Sequence, residues 1–191
     1  KKYNFYNKDI NSVLKIDEIK LNTPKKEWMN KILSYWEIGE SAAKVKLKNF
    51  INNKLSNYST GRDEPGTDFT SKLSPHLHFG EISAKTIFTE VMKSNIDDDN
   101  KKKFLSEIGW RDFSYNLIYH YPDMTNNPIQ KKFKKFPWLK DNKSLSKWQK
   151  GTTGIPIVDA GMRQLYEVGW MHNRVRMIVG SFLTKNLLLH W

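Results

Sequence analysis

Three stretches of this 191-residue chain carry side chains whose types and spacing could do chemistry. In the first, Glu107, Arg111 and Ser114 stack along one helical stripe and Trp110 adjoins it, so a carboxylate, an indole and a guanidinium share one sector. On an exposed helix such a Glu–Arg pair is an ion pair of little energetic weight. On a buried helix the charges need partners, and ligand binding becomes the alternative reading. In the second stretch, residues 169–177 (GWMHNRVRM), Asn173 and Met177 lie one turn apart and face one way, flanked by Arg174 and Arg176. An amide to read a base edge, a thioether to pack on it and guanidiniums for phosphates or acids suit a nucleotide pocket. His172, at the start of that helix, reads as a structural residue. In the third stretch, Thr70-Ser71-Lys72-Leu73-Ser74-Pro75 sets three hydroxyls and an ammonium before a helix start. That loop is either a plain capped entrance or a phosphate cradle using free N–H groups and the helix dipole. It lacks the glycines of a Walker or dinucleotide fingerprint.

Composition narrows the chemistry further. No cysteine is present, which excludes disulfides, thiolate nucleophiles and Cys-based metal sites, and the five histidines have no metal-ligand spacing. A net charge of +12 favours a polyanionic partner such as nucleic acid. Only five of the 32 basic residues are arginine: Arg62, Arg111, Arg163, Arg174 and Arg176. In a chain that otherwise uses lysine, a guanidinium marks a need for a planar fork that pairs with carboxylate or phosphate. Asp63 and Asp112 are candidate structural partners for the adjoining Arg62 and Arg111. Of the tryptophans, Trp28, Trp36 and Trp148 read as core, whereas Trp138, in a basic loop, reads as an indole near the surface.

These groups need elements to position them, and the pattern is helical, without a convincing run of alternating β-branched residues, so the expected fold is all-α. Thr23-Pro24 predicts the cap and first turn of a helix through Trp28, Ile32 and Trp36 to Gly39. A helix from about Glu40 turns Ala43, Leu47, Phe50, Ile51 and Leu55 inward. Residues 57–74 form a long loop, of a length more often functional than idle. Ser74-Pro75 caps a short helix, Ser83 caps another through Ile87 and Val91, and residues 94–103 form a polar joint. The helix from about Phe104 to Tyr121 is apolar around its axis and is expected to be central. Residues 122–147 form a basic loop, Gly154-Ile155-Pro156 opens a helix that Gly169 interrupts, and a last helix starts near Asn173. No run of about 18 apolar residues suggests a membrane span, and the start lacks a signal-peptide core, so a cytoplasmic protein is expected. The apolar finish, Asn186-Leu187-Leu188-Leu189-His190-Trp191, reads as a cut and not a natural terminus.

Taken together, YSTGRDEPGTDFTSKLSPHLHFGEIS, FLSEIGWRDF, TGIPIVDAGMRQLYEVGWMHNRVRMIVGSFL and the terminal Leu-Leu-His-Trp resemble the flavin-binding helical domain of the DNA photolyase and cryptochrome family. The resemblance covers most of the chain from Tyr58 to Trp191. It implies an all-helical domain that holds FAD in a bent shape beneath a cavity for a flipped-out pyrimidine dimer. HNRVRM with Met177, and Trp110, resemble class I enzymes acting on cyclobutane dimers. By the same resemblance, Tyr58, Thr70, Ser71, Lys72, Leu73 and Ser74 hold FAD, chiefly its phosphates, and Phe104 stands where relatives often have tryptophan against the cofactor. Arg62 and Arg174 contact DNA; Glu107, Trp110 and Arg111, with Ser114, line the dimer cavity. Glu107 hydrogen-bonds a thymine, Trp110 stacks on it, and Asn173 with Met177 closes the other side. Arg176 pairs with an acidic residue near the flavin, and Trp138 and Trp191 match the outer and middle members of an electron relay.

The implied reaction is light-driven: excited reduced FAD passes an electron to the dimer, the ring opens and the electron returns. The implied partner is damaged DNA, bound by a monomer with an affinity that falls steeply with salt. The family also carries an N-terminal α/β domain with a second, antenna chromophore, and further flavin-site residues beyond the position of Trp191. The chain is accordingly expected to be part of the FAD domain and to bind FAD weakly or not at all by itself. A cryptochrome-type blue-light receptor would share the flavin site. A basic helical nucleic-acid-binding module without catalysis is the reading from another class.

Overall fold

The structure, a computed structural model, describes residues 26–191. In chain order the helices are α1 (Glu27–Leu33), α2 (Glu40–Asn53), α3 (Tyr58–Gly61), α4 (Ser74–His78), α5 (Ala84–Lys93), α6 (Asp98–His120), α7 (Asn142–Lys150), α8 (Pro156–Val168) and α9 (Asn173–Ser181). Three 3-10 turns, Leu55–Asn57, Pro122–Thr125 and Lys131–Lys135, and a π-helical turn over Phe182–Asn186 complete them. Among the described residues the β-type pairing is confined to an isolated parallel bridge between Leu139 and Leu189.

Among the described residues two hydrophobic cores form. The first joins α2 to α5 and the start of α6. The apolar stripe of α2 buries Ala43, Leu47 and Phe50, and α5, capped where Ser83 Oγ accepts from the Thr86 N–H, buries Ile87 and Val91. At its centre the rings of Phe50, Tyr58 and Phe104 meet at centroid distances of 4.6 to 5.6 Å. The second core packs Val158 and Met162 of α8 against Met171, Val175 and Val179, with Trp148 donating its indole N–H to the Val179 carbonyl at 3.1 Å. Gly161 makes this crossing possible, because a Cβ there would run into the Val175 side chain and lie 3.1 Å from Val179 Cγ2. The turn after α1 reaches both sides: Trp36 donates to the Val168 carbonyl at 2.7 Å and Tyr35 to Glu167 at 3.0 Å, while the Trp36 ring meets His76 of α4 edge to face at 6.5 Å and lies 4.5 Å from the Lys46 ammonium of α2.

Several expectations change. The Thr23-Pro24 cap lies outside the described residues; α1 ends at Leu33 and not near Gly39, and Trp28, expected in the core, is 48% exposed, since α1 buries none of its residues fully. The start of the supposed long loop is helical over Tyr58–Gly61. Ser74 opens α4 but makes no side-chain cap, which leaves its hydroxyl unused by the helix. Most of the supposed polar joint belongs to α6, because Asp97 caps it by accepting from the Asn100 N–H. Nor is α6 central: it buries only Asn100 and Phe104, while Trp110, Phe113, Tyr115, Ile118 and Tyr119 of its outer half stay 49% exposed or more. The basic loop contains α7, started by Asp141 accepting from two backbone N–H groups and ended at Gly151, whose φ of +63° suits glycine. No described helix is long and apolar enough to cross a membrane.

Candidate functional site

The site grows from the end of α3. Gly61 lies under the Phe69 ring, where a Cβ would come within 2.5 Å, and the next residue, Arg62, is buried at 8% exposure. A guanidinium taken out of water needs anionic partners. Arg62 Nη1 donates to Glu107 Oε1 of α6 at 2.5 Å, and its Nε lies 3.5 Å from Asp63. Asp63 Oδ1 in turn accepts from Arg174 Nε of α9 at 2.8 Å and lies 2.6 Å from its Nη2. Arg174 Nη1 reaches Met177 Sδ at 3.7 Å. Carboxylates and guanidiniums therefore alternate from α6, through the end of α3, to the first turn of α9.

Electrostatics follow this arrangement. The bond from Arg174 holds the Asp63 carboxyl below its ordinary range. Burial pushes the Tyr58 hydroxyl up to about 12, so it stays protonated beneath the Arg62 guanidinium, which sits 5.4 Å from its ring centroid. His172 caps α9 by accepting the Arg174 N–H at Nδ1, and burial, then the Arg174 charge, hold its imidazole below the usual range against a smaller pull from Asp63. It is neutral at pH 7 and acts as a cap.

Other predicted site residues fall into place around this chain. Trp110 is 60% exposed and Met177 59%, and Asn173, one turn before Met177, is also open to solvent. Grooves of about 890 Å3 between α2 and α5 and about 420 Å3 between α1 and α4 are not lined by Glu107, Trp110, Asn173 or Met177. Before α4, Lys72 adopts a left-handed φ of +51° and pairs with Asp68 at 2.8 Å. Its ammonium stands 5.3 Å from the Trp170 ring, which places the Thr70–Ser74 loop beside the entrance to α9. Buried Leu73 anchors that loop in the first core. Trp138 and Trp191 meet edge to face at 5.5 Å, held where the Leu139 N–H bonds the Leu188 carbonyl at 2.8 Å.

The structure also corrects several residues. Glu107 pairs with Arg62 and not with Arg111, which instead donates to the Leu77 carbonyl at 3.2 Å and lies over Tyr115. Ser114 is turned back onto the Trp110 carbonyl of its own helix. Arg62, expected to contact DNA, is inside the molecule. Among the described residues Arg176 donates to the Met171 carbonyl at 3.0 Å. The pairing of Asp63 with Arg174, 111 residues apart, escaped the sequence reading, whose signal was limited to an acid next to Arg62.

Residues 104–191 match the family model for the FAD binding domain of DNA photolyase. The chain is 44% identical over 179 residues to deoxyribodipyrimidine photo-lyase of Agrobacterium fabrum, covering 93% of itself and 37% of that protein. It is 38% identical over 165 residues to Cryptochrome-1 of Arabidopsis thaliana, covering 82% of itself and 24% of that protein. Among solved structures, a bacterial class III photolyase from Agrobacterium tumefaciens superposes with a TM-score of 0.86 at 43% identity, over 93% of this chain and 37% of that one.

Proposed function

The chain belongs to the DNA photolyase and cryptochrome family, and from that premise we propose that it carries the FAD-holding and lesion-facing helices of a light-driven enzyme that splits cyclobutane pyrimidine dimers in DNA. What carries the reading is the line Glu107, Arg62, Asp63, Arg174 and Met177, which draws three distant elements onto one face beside exposed Trp110 and Asn173. On this reading Trp110 stacks on an extruded base and Glu107, with Oε1 held by Arg62, offers Oε2 to a pyrimidine N–H. Because Arg62 fixes that carboxylate before substrate arrives, little reorganisation is needed at the moment of reaction. Met177 and Asn173 close the other side. The solved relative is a class III photolyase while HNRVRM resembles class I enzymes, so the proposal rests on the substrate and not on the subclass.

The donor set before α4 fits the phosphates of FAD: Thr70, Ser71 and Ser74 bring hydroxyls to a helix start, the Ser74 hydroxyl is not spent on a cap, and Lys72, now paired with Asp68, would exchange that carboxylate for a phosphate. Tyr58 and Phe104 fit as backing, because their rings pack into the first core. When bound, FAD supplies light absorption and one-electron chemistry. Trp138 and Trp191, in edge contact, give a path for electrons between the chain end and the surface loop.

Illuminating FAD-loaded protein with an oligonucleotide that carries one cyclobutane thymine dimer is expected to restore the monomers. Glu107→Ala should slow that step by about tenfold or more while dark binding of the lesion persists. A receptor is the second reading, favoured by the 38% identity to Cryptochrome-1. Bound flavin with an intact dimer after illumination would replace the proposal with that reading.

A further inference from the structure

Between the two guanidiniums of the site stands Asp63. Its Oδ1 takes the Nε and Nη2 edge of Arg174, at 2.8 and 2.6 Å. That edge is the fork with which arginine grips a phosphate side-on, and here a carboxylate already fills it. Along the line, Glu107 and Asp63 cancel Arg62 and Arg174, so these four side chains are neutral together although the whole chain is at +12. The two pairs differ in access. Glu107 and Arg62 have side-chain exposures of 33% and 8%, whereas Asp63 and Arg174 have 47% and 37%, so the second pair is open to exchange with an incoming anion. Arg174 can change partner without unwinding α9, because its backbone N–H is held separately by His172.

We propose that Asp63 is a specificity-determining residue that occupies the Arg174 fork until a DNA backbone phosphate displaces it, so that Arg174 adds little affinity for undamaged duplex. The inference rests on the nucleic-acid reading above. Seating an extruded base against Trp110 distorts the duplex and brings a phosphate close to α9; an undistorted duplex meets a fork that Asp63 already fills.

The test is binding of the parent chain, Asp63→Asn and Asp63→Asn/Arg174→Gln to a dimer-containing duplex and its undamaged twin, by fluorescence anisotropy from about 50 to 300 mM salt. Asp63→Asn is expected to tighten binding of the undamaged duplex about fivefold at low salt and to steepen its log–log salt slope by about one unit, which narrows the preference for the lesion. Adding Arg174→Gln removes both gains. If Asp63→Asn weakens both duplexes alike, or leaves the slope unchanged, Asp63 merely braces Arg174 and the proposal is overturned. Asp63→Ser, which also removes the charge, serves the same comparison where the asparagine variant does not fold. A parent chain that binds neither duplex overturns the nucleic-acid reading itself, and this one with it.

Discussion

Arg62 and Glu107 form a pair whose two members face different surroundings, and that asymmetry is measurable. Glu107→Leu leaves a guanidinium that is 8% exposed with only the longer contact to Asp63, at a cost of about 2 to 3 kcal/mol. Arg62→Met leaves a carboxylate with a third of its side chain in water, at a cost of about 1 kcal/mol. Urea unfolding of the two variants checks the order; equal losses would mean that Arg62 is less enclosed than its contacts indicate. His172 gives a prediction in pH. Its folded pKa lies below the ordinary 6.5, so as pH falls below 6.5 the unfolded chain binds more protons and stability drops until the folded value is passed. His172→Asn keeps an acceptor for the Arg174 N–H without a titrating ring, and is expected to flatten the stability curve between about pH 7 and pH 5. Denaturation at a series of pH values reads the difference between the two proteins; identical slopes would show that the imidazole is not held neutral. Residue types were legible in the sequence: a sparing use of arginine singled out Arg62 and Arg174. The adjoining Asp63 was expected beside Arg62 and lies 3.5 Å from its Nε, but the long-range partners were not legible, since Arg62 and Glu107 lie 45 residues apart and Asp63 and Arg174 lie 111 apart, and no local spacing links them.

Elements were legible where local signals and packing agree. The stripe of α2, the Ser83 cap of α5 and the proline start and glycine end of α8 all stand as their residues suggest. The start of α7 was missed although Asp141 and Ser144 carry a capping signal, because the surrounding lysines mask its one half-buried face. The outer half of α6 was misplaced for another reason: apolar residues around an axis state a need for cover and not its presence. The crossing of α8 on α9 is where the second core is most sensitive. Gly161→Ala pushes a methyl into Val175 and to 3.1 Å from Val179, and since both belong to a packed helix the expected loss is about 2 kcal/mol. Val175→Ala in the same chain relieves part of that loss. A thermal melt of the single and double variants checks it, and purely additive losses would place the clash elsewhere.

At the scale of the whole molecule, two features pull in opposite directions: a charge of +12 that keeps copies apart and apolar side chains around the outer half of α6 that invite cover. Phe113 is 49% exposed, Tyr115 52%, Ile118 49% and Tyr119 82%, and Trp110 extends the same helix toward Glu107 at 60%. Such exposed side chains on a folded chain bind apolar dyes without any loss of tertiary structure, because they are already in water. The chain is therefore expected to enhance anilinonaphthalene sulfonate fluorescence while its near-ultraviolet circular dichroism remains native. Phe113→Ser/Tyr119→Ser should remove about half of that signal and shift Tm by no more than about 2 °C, since neither ring contributes to a core. A dye signal unchanged by the pair of substitutions would locate the apolar surface elsewhere. A large fall in Tm would mean that the outer half of α6 is packed, and with it that Trp110 is not free to meet a base.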